Sequence, residues 1–208
     1  MRAALAAEVR KQATLPTTWW ATAGALGATV VLVVLLRVGH PEAPAEAVAD
    51  LARGLIQAGA VAVGVVLGAA EQRQMAAARL AVPSRPVWLG ACWLVALSAT
   101  GLVAAAMVIS GRATVAAGGQ WLGQWAWLWG VAMAAFLLAE LTGSALSGAL
   151  AVLTVLWIAP AVATGLPRLR DWLPDASPLA GWAGVHPGAA LGWLAVIWAV
   201  ALVQAARR

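Results

Sequence analysis

Residues 68–92, GAAEQRQMAAARLAVPSRPVWLGAC, separate two long uncharged runs, and how this stretch is read decides the fold. Upstream, 55–70 carries no charged side chain, and downstream 87–110 carries none either. Both flanks suit the interior of a bilayer, whereas Glu71, Arg73, Arg79 and Arg85 between them require water or the membrane surface. Ala76, Ala77 and Ala78 favour helix, and Pro83 ends any such helix before Pro86 opens the next. The expectation is a short surface helix bracketed by two membrane helices.

The composition agrees with that reading. The 208 residues are 63% hydrophobic and 10% charged, whereas soluble domains are about half apolar and about a quarter charged. A hydrocarbon core of about 30 Å takes about 20 apolar residues per helical crossing. Backbone exposed to lipid must bond internally, and no alternating ten-residue pattern suggests a barrel. The expected fold is therefore all-α: a single polytopic transmembrane domain with six membrane helices, an N-terminal interfacial helix and a short external helix before the last span.

Working outward, residues 1–16 mix Glu8, Arg10 and Lys11 with apolar positions and predict the interfacial helix. The spans are expected at 18–38, 55–70, 87–110, 121–139, 146–164 and 189–206, with 71–86 as a cytoplasmic loop and 165–188 as an external insertion. Trp19 and Trp20 sit where an aromatic belt would. No small-residue cleavage site follows a short apolar run near the N-terminus, so no cleaved signal peptide is expected. Pro160 should kink the fifth span. Ser177 and Pro178 have the residue types of a helix N-cap and first position. Ala60, Gly64 and Gly68 recur every four residues. The last two form a GxxxG that either lets a neighbouring helix approach closely or is a chance match in a chain with 21 glycines.

With six spans and the N-terminus inside, eight of the 13 Lys and Arg residues fall on the inner side and five on the outer. Positive charge favours the cytoplasm, so both termini and the 71–86 loop are expected there, in a multi-pass plasma-membrane protein. The same 13 residues are scattered and form no basic stripe. The net charge of +5 therefore points to topology and not to nucleic acid.

Catalytic chemistry is absent from the pattern. Cys92 is the only cysteine, which excludes an internal disulfide and a cysteine-built metal site. Ser144 and Ser147 fall at the inner face and His186 at the outer, about 30 Å apart, so they form no serine–histidine dyad. Neither HExxH nor a paired ligand pattern occurs. Lys11 is the sole lysine, which removes the phosphate-binding GxxxxGK[ST]. The chain is thus expected to be no enzyme and to hold no cofactor or metal; any ATP and magnesium would be bound by another chain.

Ion-coupled transport also lacks its residues, since no ionisable group falls at mid-depth. Glu140 comes nearest, at the inner end of the fourth span, and reads as an interfacial carboxylate facing water or as a second cytoplasmic contact. Gln57, Ser98, Thr100 and Thr154 are the deeper polar groups. Trp121, Trp125 and Trp129 form a stripe at four-residue spacing. The stripe fits anchoring to lipid, and alternatively a substrate or subunit-interface wall.

At 71–85 the sequence resembles permeases of the ABC-2 type. Many bacterial members place a Glu just after the second span, an Arg two residues on, then Gly-Thr, then Leu-x-x-Pro-x-Arg, and a Lys early in the third span. Glu71, Arg73, Leu80, Pro83 and Arg85 match; Met75 and Ala76 replace the Gly-Thr, and Cys92 stands where the Lys is expected. The resemblance implies a six-span half-transporter that pairs with a second permease half, identical or not, and with a separate ABC ATPase. The segment containing Glu71, Arg73, Arg79, Leu80, Pro83 and Arg85 would then couple to that ATPase. The substrate class would be hydrophobic or amphipathic: a drug, a lipid or a peptide leaving through the bilayer. A non-transporting membrane scaffold or anchor subunit shares the same spans and is the alternative.

Overall fold

The computed structural model describes residues 2–14, 16–39, 42, 44–81, 85–114, 121–158 and seven positions between 192 and 203. These are helical apart from short turns and contain no strand. The elements are α1 (Arg2–Thr14), α2 (Pro16–Gly39), α3 (Ala45–Ala81), α4 (Arg85–Thr114), α5 (Trp121–Thr142) and α6 (Ala145–Leu153), followed by a π-helical turn at Thr154–Ile158. Two stretches, Gly90–Ile109 and Trp125–Thr142, have the length and apolar character needed to cross a membrane; Gly54–Ala70 and Ala145–Leu156 are shorter apolar helices.

The helix ends follow from local chemistry. Proline at the first position of α2 has the φ a helix needs and lacks an N–H that would be unpaired there. Between α5 and α6 the chain reverses at Gly143, whose φ of +69° is the left-handed region open to glycine. Ser144 then caps α6, its side chain accepting from the Ser147 N–H at 3.3 Å. Past Leu153 the helix widens into the π turn. Pro160 lies just beyond and has no N–H to close an α-helical bond onto Leu156. The kink expected at Pro160 lies outside the described residues.

The largest departure from expectation concerns residues 71–81. They form no separate surface helix but continue α3, which runs unbroken for 37 residues. At 1.5 Å per residue that is about 55 Å, well beyond a hydrocarbon core of about 30 Å. Nothing in 69–81 breaks a helix, and Ala76 to Ala78 extend it, so the polar stretch prolongs the apolar helix as one rod.

Packing places α3 and α5 at the centre. Gly64 of α3 meets Ala132 of α5, and Gly68 meets Phe136, so an advance of four residues in one helix matches four in the other. The two run parallel. Trp125 bonds to Gly101 of α4 and Trp129 to Leu97, so α4 runs antiparallel to α5. On one side, Ile56, Ala60, Val63 and Leu67 of α3 and Leu128, Ala132 and Phe136 of α5 enclose Ala96, Ala104 and Met107 of α4. On the other, Val61 and Val65 pack with Val131, Ala135 and Ala139 against Val152 and Leu156. The periphery is apolar too, with Val31, Val34 and Leu35, Leu94, Leu102 and Ile109, and Leu146 and Leu150 all exposed. An apolar outer surface of this extent suits lipid.

Candidate functional site at the polar end of the bundle

The helix directions bring the C-terminal ends of α3 and α5 and the N-terminal ends of α4 and α6 to one end of the bundle. α1 packs against α4. It is tied to α2 by the Trp19 indole N–H, which donates to the Ala13 carbonyl at 2.9 Å. Within α1 the buried Glu8 accepts from Lys11 Nζ at 2.6 Å and from the Gln12 amide at 3.4 Å. Lys11 thus ties two turns of α1 together, and this pair is one of its interactions.

The residues that carry the ABC-2 resemblance fall on two elements. Glu71, Arg73, Arg79 and Leu80 lie on the extension of α3, and Arg85 is the first residue of α4. Pro83 lies outside the described residues, as do the side chains of the other five. Residues 71–81 form the C-terminal end of a helix whose apolar part packs closely against α5.

That packing is closest at the glycines. A Cβ on Gly64 would overlap the Ala132 carbonyl oxygen and come within 2.9 Å of Ala135 Cβ. One on Gly68 would overlap the Phe136 carbonyl oxygen and lie 3.0 Å from Ala139 Cβ. The GxxxG is therefore a true close-approach motif and not a chance match. On the other side of Ala139, Gly148 of α6 leaves the same lack of room, with its Cβ position 2.7 Å from the Ala139 nitrogen. Gly68, Ala139 and Gly148 thus join three helices next to the start of the polar stretch. Gly148 was not singled out from the sequence; its spacing gave no sign, because its partner lies on the preceding helix across a turn.

Glu140 follows Ala139 and is 3% exposed. The expectation of a carboxylate facing water is therefore incorrect. Its local sequence, LAELTG, looks like any helix end; burial comes from the helices around it, which no local pattern displays. Continuing the parallel register by one turn from Gly68 and Phe136 sets Glu140 level with Gln72, between Glu71 and Arg73.

The tryptophan stripe turns inward. Trp125 and Trp129 stack with ring centroids 5.0 Å apart and planes at 24°. The Trp125 indole donates to the Gly101 carbonyl at 2.9 Å and the Trp129 indole to the Leu97 carbonyl at 3.0 Å. These two rings clamp α5 onto α4 within the chain, a role neither sequence reading contained. The Trp121 side chain lies outside the described residues.

Of the deeper polar groups, Thr100 is buried and donates to the Ala96 carbonyl at 2.7 Å, while Ser98 is exposed and donates to Leu94 at 2.8 Å. Both satisfy themselves on their own helix. Gln57 differs: it is 1% exposed, and neither amide atom has a hydrogen-bond partner among the described residues. Thr154 is exposed at the start of the π turn. Comparison with known proteins adds no family to this geometry: no protein-family model, curated protein or solved structure matches the chain.

Proposed function

We propose that the chain is the membrane subunit of an ATP-driven exporter of the ABC-2 type, working with a second permease half and a separate ABC ATPase. The observation that carries this reading is the continuity of α3. Glu71, Arg73, Arg79 and Leu80, four of the residues on which the resemblance rests, sit on an extension that is one rod with the helix packed on α5 through Gly64 and Gly68. Force applied to the extension by a nucleotide-driven partner would move α3 as a whole, and α5 and α6 with it. A flexible loop could not transmit that motion.

Six spans with both termini in the cytoplasm belong to this reading. The bundle end that carries Arg73, Arg79 and Arg85 also carries α1 with Arg2, Arg10 and Lys11, and this surplus of cations favours the cytoplasmic side. The ATPase would then approach the extension from the compartment where ATP is available. The apolar outer surface fits a hydrophobic or amphipathic substrate moving beside lipid. Replacing both Glu71 and Arg73 with Ala in the membrane-reconstituted complex should uncouple ATP hydrolysis from transport while leaving the permease folded. Unchanged transport by that variant contradicts the assignment. A permease that binds no ATPase at all would point to a scaffold subunit.

A further inference from the structure

Gln57 is a polar group that the packing of the bundle does not account for. It lies on α3, is 1% exposed, and neither atom of its amide has a hydrogen-bond partner among the described residues. Thr100 and Ser98 reach carbonyls on their own helix, and the Trp125 and Trp129 indoles reach carbonyls on α4. A buried amide without a partner is costly in apolar surroundings, and a polar group inside a membrane points to function.

Helix geometry gives both its direction and its depth. At about 100° per residue, Gln57 lies about 20° around α3 from Gly64 and from Gly68, so it belongs to the face that meets α5. The register of Gly64 with Ala132 sets it level with Trp125. Along the axis it is about 16 Å from Gly68, half the depth of a hydrocarbon core of about 30 Å. Its neighbours on α3, Ile56, Ala60 and Val61, are buried and apolar. No charged residue occurs in 17–36, 55–70, 87–110 or 121–139. A charged ligand group would therefore have nothing to neutralise it at this level, whereas an amide offers an acceptor and two N–H donors to a neutral one. The close contacts at Gly64 and Gly68 both lie toward Glu71 from Gln57, so α3 and α5 can part at the level of Gln57 with those contacts intact.

We propose that Gln57 is a ligand-binding residue. When α3 and α5 part at its level, its amide takes one uncharged hydrogen-bonding group, a carbonyl, amide or hydroxyl, of an otherwise apolar molecule. The cost of the bare amide is relieved on binding, so the ligand favours the parted arrangement. This deepens the exporter reading and rests on it in treating α3 as a membrane span and the molecule as cargo.

The test uses the full-length protein in native membranes, with Cys92→Ala as background, and needs no ATP. Gln57→Cys is treated with methyl methanethiosulfonate, which is small and uncharged, and with N-phenylmaleimide, which joins an uncharged polar ring to an apolar body. Val63→Cys, at a position 0% exposed on the same helix, is the reference. Both reagents should modify Gln57→Cys about tenfold faster than Val63→Cys, because the site opens and the reference does not. Since that substitution removes the amide, Val61→Cys, one turn on, is also labelled with Gln57 intact and with Gln57→Leu. The leucine should slow N-phenylmaleimide about fivefold by withdrawing the polar group that draws the reagent in. Reaction no faster than the reference overturns the proposal. Reaction with the small reagent alone assigns the amide to water and overturns the cargo class. Equal and non-additive losses of stability from Gln57→Leu and Gln124→Leu would show that the amide is satisfied within the chain, which also overturns it. Labelling as expected in a protein that copurifies with no ATPase would refute the exporter reading and keep the binding site, so the two failures are separate results.

Discussion

A methyl group on the α-carbon of Gly68 would overlap the carbonyl oxygen of Phe136, and this contact joins the polar extension of α3 to the centre of the bundle. Beyond Gly68 the same helix continues through Glu71, Arg73 and Arg79 and ends at Ala81. The closeness of the contact makes it testable. Gly68→Leu and Gly64→Leu should each cost more than the about 1–3 kcal/mol typical of overpacking, because the obstacle is backbone and cannot rotate away. Gly27→Ala on α2, where nothing lies within 4 Å of the added carbon, should be neutral or stabilise by up to about 1 kcal/mol. Thermal unfolding in detergent compares the three; a Gly68→Leu protein as stable as the parent would refute the register between α3 and α5.

The indole bonds from α5 to α4 give a second prediction. Trp129→Phe keeps an aromatic ring beside Leu97 but removes the donor, and Trp125→Phe does the same at Gly101. Each should cost about 0.6–1.5 kcal/mol, the range found for hydrogen bonds between membrane helices and in proteins generally. The double variant should lose less than the sum, since each single change already disturbs the stack that the two rings make with each other. Equal stability of parent and double variant would mean that the rings only fill space.

Gln57 supplies a prediction of opposite sign. Its amide is buried with neither atom bonded among the described residues, which is costly in an apolar setting. Gln57→Leu, of similar volume, should therefore raise stability by about 1 kcal/mol or more. A measured loss of stability would show that the amide has a partner in the native membrane.

The turn between α5 and α6 is also exposed to test. Gly143 holds a φ of +69°, and Ser144 caps the following helix. Gly143→Ala and Ser144→Ala should each cost about 1 kcal/mol, the first through backbone strain and the second through a lost cap. Gly143→Asn, which tolerates the left-handed region better, should cost less than Gly143→Ala. The order of the three melting temperatures checks the turn geometry.

What could be read from the sequence was what local chemistry governs. Helix class follows from composition and propensity, and the short gap expected between the spans at 121–139 and 146–164 holds the reversal at Gly143 and Ser144. The length of α3 is not legible locally, because the charge that begins at Glu71 reads as a boundary although charge does not end a helix, and α3 runs on to Ala81. The burial of Glu140 and the close contact at Gly148 are illegible for another reason. Their environment is made by helices distant in sequence or across a turn, and a local window holds no trace of it. The tryptophan stripe was visible as a periodicity, but its direction toward α4 depends on how the helices rotate against each other. Four-residue spacing says which residues share a face and not what the face meets.

The central claim is that the α3 extension is where an ATPase docks. The most direct measurement is to purify the full-length protein from its native membrane in mild detergent, identify what accompanies it, and assay the complex for ATP hydrolysis, alongside a variant with Glu71, Arg73 and Arg79 all changed to Ala. The account predicts a stoichiometric partner bearing a phosphate-binding loop, retained by the parent chain and lost from the variant while both remain folded. A stable particle without ATP hydrolysis, or an ATPase bound equally well by parent and variant, would contradict it.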